Sequence, residues 1–163
     1  MRKQLGVVLQ DGELIPDNIF QNITGTSNCT MEEAWEAAKL AGIHEDINEM
    51  PMGMFTYINE GASIISTGQK QRILIARALI GKPKILLFDE ATSAIDNIAQ
   101  KQIVKNLEKI KITKIVIAHR LSTIINADYI YVLDKGRIVQ EGKYNKLAKE
   151  KGTFQELIKR QSK

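Results

Sequence analysis

The stretch Ile85-Leu86-Leu87-Phe88-Asp89-Glu90, ILLFDE, decides the fold of this 163-residue chain. An unbroken apolar run leads straight into two carboxylates. Bounded on its other side by Gly81-Lys82-Pro83, the run reads as a strand buried on both faces, the habit of a parallel sheet. Open α/β sheets bind ligands beyond the carboxyl ends of their strands. That rule singles out Asp89 and Glu90. It also singles out His119, which ends a second such run, Lys114-Ile115-Val116-Ile117-Ala118. Mg²⁺ is held by one or two carboxylates plus water and substrate phosphates, so Asp89 is the candidate metal ligand. Glu90 can polarise a water as a general base. His119 can hydrogen-bond a phosphate or that water. An acidic pair also suits a solvated turn or helix start, and a lone histidine is commonly a satisfied core residue. The apolar run directly before the pair favours the catalytic reading.

Upstream lies Ile64-Ile65-Ser66-Thr67-Gly68-Gln69-Lys70-Gln71-Arg72, IISTGQKQR. Ile73, Ala76 and Leu79 follow at helical spacing, which predicts a helix over 67–79 with Lys70 and Arg77 on its surface. Helix N-termini bind anions through their open N–H groups and the dipole. Ser66 adds a hydroxyl, and Gly68 lets the backbone come close to a ligand. The alternative is plain N-capping by Ser66.

The remaining elements follow from local signals. Leu5 to Leu9 reads as a short strand, and 11–29 as loop with one short helical piece. Thr30 and Glu33 form a capping box for a helix to about Ala41, with Gly42 just past its end. Residues 43–65 read as irregular. A helix is expected over 96–110, a short one over 121–126, a strand over 129–133, and a hairpin turn at Asp134-Lys135-Gly136 leading into Arg137-Ile138-Val139-Gln140. Short helices over 143–149 and 153–161 complete the chain. Strands alternating with helices predict an α/β fold with helices flanking the sheet.

Bulk composition narrows the function classes. The chain carries 23 basic and 19 acidic residues, a net charge of +4 with the two signs interspersed. Nucleic-acid binding calls for a basic stripe with aromatics, and aromatics make up only 6% here, so no nucleic-acid partner is expected. With a single cysteine, Cys29, no disulfide can form within the chain. No apolar run approaches the ~20 residues of a membrane-spanning helix. The isolated chain is expected to be soluble.

Taken together, these segments resemble the nucleotide-binding domain of an ATP-binding cassette transporter. ISTGQ is similar to that family's signature motif, L-S-G-G-Q, and ILLFDE to its Walker B strand with the catalytic glutamate. Ser93-Ala94-Ile95-Asp96 resembles the D-loop, IAHRLSTI the switch-histidine segment, and VLQD with Gln10 the Q-loop. The match spans nearly the whole chain in the family's order. INEGAS resembles the exporter loop that touches the coupling helices of the membrane domain, and MPMGMFTYINEGAS and YIYVLDKGRIVQEGKYNKL look closest to bacterial peptide and bacteriocin exporters, with multidrug and lipid exporters sharing most of the rest.

The resemblance implies ATP and Mg²⁺ as ligands, a transmembrane domain of an exporter as partner, and a second nucleotide-binding domain paired head to tail. It implies a place at the cytoplasmic face of the plasma membrane. Glu90 and His119 would be catalytic. Gln10, Ser66, Thr67, Gly68, Gln69 and Asp96 would face nucleotide, and Asp89 with Gln10 the metal. Thr67 stands where the family usually has a glycine, and a β-branched residue disfavours positive φ.

The phosphate-cradling pattern G-x-x-x-x-G-K-[ST] occurs nowhere in the 163 residues. In the family that Walker A loop precedes the Q-loop. The chain is therefore expected to be the carboxyl-terminal part of a partial P-loop NTPase core. It divides into a Q-loop region (1–20), a helical subdomain with the signature (21–82), and a Walker B, D-loop and switch-histidine part (83–163). Alone, it is expected to lack appreciable ATPase and to form a homo-oligomer over its uncovered sheet. Alternatives are a non-enzymatic remnant, an interaction fragment docking on an intact transporter, and a cassette ATPase of a non-transport system.

Overall fold

The computed structural model describes residues 4–59, 65–89, 95–118 and 121–161. The chain divides into two compact units, Met1–Ile117 and Ala118–Lys163. The first holds β1 (Leu5–Val8), α1 (Ile19–Thr24), α2 (Met31–Leu40), α3 (His44–Glu49), α4 (Thr67–Leu79), β2 (Ile85–Asp89), α5 (Asn97–Glu108) and β3 (Thr113–Ile117). The second holds α6 (Leu121–Ile124), β4 (Ile130–Asp134), β5 (Arg137–Gly142), α7 (Tyr144–Leu147) and α8 (Thr153–Gln161).

The first unit is built on a three-stranded parallel sheet in the order β1-β2-β3. Val8 pairs with Phe88 and Asp89 with Ile117, so the three strands end along one edge. Gly6, Val8, Leu86 and Phe88 face inward and are buried, and α4 packs on the same side of the sheet. Gly6 is required there: a Cβ would overlap the carbonyl oxygen of Ala78 and lie 2.8 Å from Leu86 Cδ1. The core continues from Ile73, Ile75 and Leu79 of α4 to Ile23 of α1 and Ala34 and Ala38 of α2, all essentially dry.

The expectation of strands buried on both faces does not hold. Along β2 burial alternates, and β3 is exposed throughout. Leu5, Val7, Ile85, Ile115 and Ile117 fall on one face by register and are 39–50% exposed. An apolar run reports what a strand can bury. Whether it is buried depends on a second layer, and among the described residues only one face of β1 and β2 is covered. The strand at 130–134 also departs from the expected sheet. Among the described residues it pairs only with β5, antiparallel, across a turn where Lys135 and Gly136 both have positive φ.

Residues 43–65, expected to be irregular, contain α3 and a 3₁₀ turn at Gly53–Phe55. α3 has six residues and no side-chain N-cap, and its local signal is limited to Glu45 and Asp46 in the first turn. Tertiary contacts hold it instead, through buried Ile47 and through Asp46. By contrast, the Thr30–Glu33 capping box forms as read: Glu33 N donates to Thr30 Oγ1 at 3.3 Å, and Thr30 N to Glu33 Oε2 at 3.0 Å. Asn106 of α5 caps the far end of α2, its Nδ2 donating to the carbonyls of Lys39 and Leu40. Those carbonyls lie in the last turn, where helices lack internal partners.

The second unit has its own small core of Ile130, Val132, Leu147 and Phe154. Tyr144 meets Phe154 edge-on at 5.8 Å, and Phe154 N donates to Gln140 Oε1 at 3.0 Å. No described helix is long and apolar enough to cross a membrane.

Candidate functional site

Two groups of the expected site residues can be placed. The first lies on the sheet edge. Asp89 is the last residue of β2, partly buried, paired with Ile117 of β3 and one residue beyond the Phe88–Val8 pair that ends β1. Gln10 lies two residues beyond β1 in an exposed turn at the same edge. Residues 79 positions apart in sequence thus share one end of the sheet because their strands pair in parallel. Both offer oxygen donors of the hard kind that Mg²⁺ takes. Glu90 and His119 lie outside the described residues.

The second group opens α4. Ser66 is the N-cap, with φ −66° and ψ 158°, and its Oγ accepts from Gln69 N at 3.2 Å. Gln69 Oε1 accepts in return from Ser66 N at 2.9 Å. This is a complete capping box, worth about 1 kcal/mol to the helix. Thr67 begins the helix itself. Among the described residues only Lys82 and Lys135 combine a side chain with positive φ, so Thr67 carries no backbone strain. Helical geometry gives the N–H groups of Thr67 and Gly68 no intrahelical acceptor. Ser66 and Thr67 are exposed, while Gly68 and Gln69 are partly covered.

The two groups are separate. Among the described residues no hydrogen bond joins Ser66–Gln69 to Gln10 or Asp89. The loop beyond Gln10 is nonetheless fastened to α4. Lys70 pairs with Glu13, and Arg77 donates to the carbonyls of Asn22 and Glu13 and to Asn22 Oδ1. Arg77, expected on the surface, is half-buried, and that burial lowers its pKa.

Asp96 N-caps α5, its Oδ1 accepting from Ile98 N and Ala99 N, both at 2.9 Å. The Ala99 N–H, chiefly, holds its carboxyl below the usual aspartate range. Desolvation is the next largest effect and opposes it, while Ile98 N–H and the charge of Arg72 add smaller lowering effects.

Asp46, Arg72 and Asn22 hold neighbouring elements together without a sequence pattern that assigns them that role. Asp46 Oδ2 lies 2.8 Å from Arg72 Nη1, and Asp46 Oδ1 lies 3.1 Å from Arg72 Nη2. Gln69 Nε2 donates to Asp46 Oδ1 at 2.9 Å. Nothing local marks Asp46 for this role, since its partners lie 23 and 26 residues away. Ser66-x-x-Gln69 was itself a readable capping signal.

The family model described as ABC transporter matches residues 1–93. A leukotoxin export ATP-binding protein of Aggregatibacter actinomycetemcomitans is 48% identical, over 96% of this chain and 23% of its own. An alpha-hemolysin translocation ATP-binding protein of Escherichia coli is 48% identical, over 92% of this chain and 22% of its own. The chain thus spans about a quarter of the length of these curated relatives. Among solved structures, a bacterial Atm1-family ABC exporter with ATP bound matches with a TM-score of 0.93 and 41% identity. That match covers 99% of this chain and 29% of the other.

Proposed function

Since the chain belongs to the ATP-binding cassette transporter family, we propose that it forms part of the ATP-binding and ATP-hydrolysing machinery of an exporter. It works beneath a transmembrane domain, at the cytoplasmic face of the plasma membrane. The observation that carries this reading is the parallel register that brings Gln10 and Asp89 to one carboxyl edge. The relatives described above are named for toxins rather than bacteriocins, and the cargo proposed is of that kind.

In this reading the chain is one domain in three parts, at 1–20, 21–82 and 83–163. Two such domains pair head to tail, each ATP lying between them. Asp89 and Gln10 would hold Mg²⁺, which would neutralise charge on the phosphates. Glu90 orients the attacking water and takes its proton, and His119 holds the γ-phosphate. Ser66 serves the partner's ATP. Its Oγ already accepts from Gln69 N, which leaves the hydroxyl hydrogen to donate to a phosphate oxygen. The Thr67 and Gly68 N–H groups add backbone donors and the positive end of the helix dipole. Asp96, at the D-loop, fixes the start of α5 and in this reading faces nucleotide.

Calorimetry with MgATP on the 163-residue chain should show no saturable binding and no turnover, because the phosphate loop that positions the nucleotide is not among these residues. Turnover by this chain that Glu90→Gln abolishes would overturn that expectation. In the full-length subunit carrying these residues, Glu90→Gln should lower ATP turnover by roughly 10²–10⁴-fold. Turnover unchanged by the substitution would sink the assignment of the base.

A further inference from the structure

We propose that Asp46 is a positioning residue for the signature end of α4, acting through Gln69 and Arg72. The inference rests on the reading that Ser66 and Gly68 face a nucleotide, and it adds what holds them in place.

The capping box closes only when the Gln69 carboxamide turns its oxygen toward Ser66 N. A carboxamide has nearly the same shape either way round, so something must choose. An ionised carboxylate only accepts hydrogen bonds. With Asp46 Oδ1 at 2.9 Å, the NH₂ end of Gln69 must face α3, and its oxygen then faces Ser66 N at 2.9 Å. Asp46 thereby selects the one orientation that closes the cap.

Asp46 is itself held at a fixed place. The Arg72 guanidinium grips it through both terminal nitrogens, the bidentate geometry that adds direction as well as strength. Arg72 Nη1 also donates to the Gly42 carbonyl at 2.6 Å, just past α2. Both side chains are largely enclosed, with 13% of Arg72 and 25% of Asp46 exposed. The cluster therefore ties the end of α2, the middle of α3 and the first two turns of α4 into one unit. A shift of α3 is passed to Ser66 by hydrogen bonds rather than through the chain that connects them.

The test exchanges donor and acceptor. Asp46→Asn sets an NH₂ group against a donor whichever way it turns: Arg72 Nη1 one way round, Gln69 Nε2 and Arg72 Nη2 the other. Gln69→Glu keeps a cap acceptor for Ser66 N but sets a carboxylate against Asp46. The double variant restores one donor and one acceptor between positions 46 and 69 with the roles reversed, and the amide oxygen at position 46 then accepts from Arg72 Nη1. In the 163-residue chain, each single variant should speed amide exchange at Gln69 and Lys70 about tenfold, with α2 as an internal control for folding. The double variant should return to within about threefold of the parent. In the full-length subunit, each single variant should lower kcat for ATP about tenfold with KM little changed, and the double variant should recover most of it.

Unchanged exchange in both single variants overturns the clamp. Faster exchange with normal kcat, where Ser66→Ala lowers kcat, overturns the positioning role and leaves the reading of Ser66 standing. Normal kcat in Ser66→Ala removes that reading and the functional role of Asp46 with it. If Asp46→Asn loses protection throughout α2 as well, Gln69→Glu and its rescue by the second substitution decide alone. Failure of that rescue overturns the proposal.

Discussion

A single carboxylate can be read for its charge and for its geometry, and Asp96 separates the two. Its Oδ1 caps α5 through two backbone N–H groups, and those bonds together with Arg72 hold its pKa below the ordinary 3.8. Because the folded pKa is depressed, the charge contributes stability fully above the unfolded value, and that contribution is lost as pH falls through the lower folded value. Asp96→Asn preserves the cap and removes the charge. The difference in Tm between parent and variant should therefore be present near about pH 6 and shrink by about pH 2. A difference independent of pH would mean that the charge does nothing at this helix end. Residues whose roles are local, such as Thr30, Glu33 and Ser66, were legible because cap and partner lie three positions apart. Asp46 was not legible, because its role exists only after two helices have packed.

At the scale of elements, the segment between the sheet edge and α1 shows how a loop becomes rigid. Asn22 is fully buried. Its Oδ1 accepts from Ile15 N at 2.9 Å and Arg77 Nη2 at 2.8 Å, and its Nδ2 reaches the carbonyls of Ile15, Asp17 and Asn18. One side chain thus stands in for the secondary structure that 13–18 lacks. Asn22→Ala would strand several buried polar groups and the Arg77 fork at once. It should cost about 2–4 kcal/mol, read as a lower denaturant midpoint at unchanged m-value. A loss under about 0.5 kcal/mol would place the rigidity elsewhere. α4 could be read to the residue at both ends because periodicity, cap and the terminating Gly81-Lys82-Pro83 agree. α3 could not, since its six residues draw their stability from Ile47 and Asp46 in contact with other elements.

For the molecule as a whole, the open sheet face is the dominant physical fact. Leu5, Val7, Ile85, Ile115 and Ile117 form a row of apolar side chains along three strands, each at least 39% exposed. Contiguous apolar surface of this kind invites association. The isolated chain should therefore form oligomers in light scattering, and Val7→Lys with Ile115→Lys should return it to a monomer. A monodisperse parent monomer would refute this. The strand runs were legible as strands, but their exposure was not, because a hydrophobic pattern does not say which layers are present. The register has one more consequence, and it concerns time. Among the described residues β1 finds its one partner strand across residues 9–84, while α1 to α4 assemble within that span. Closing so long a loop carries an entropic cost before any strand pairing compensates. The helical segment should therefore organise early and the β1–β2 seam late, so the edge that carries Gln10 and Asp89 would be among the last parts of the chain to take shape.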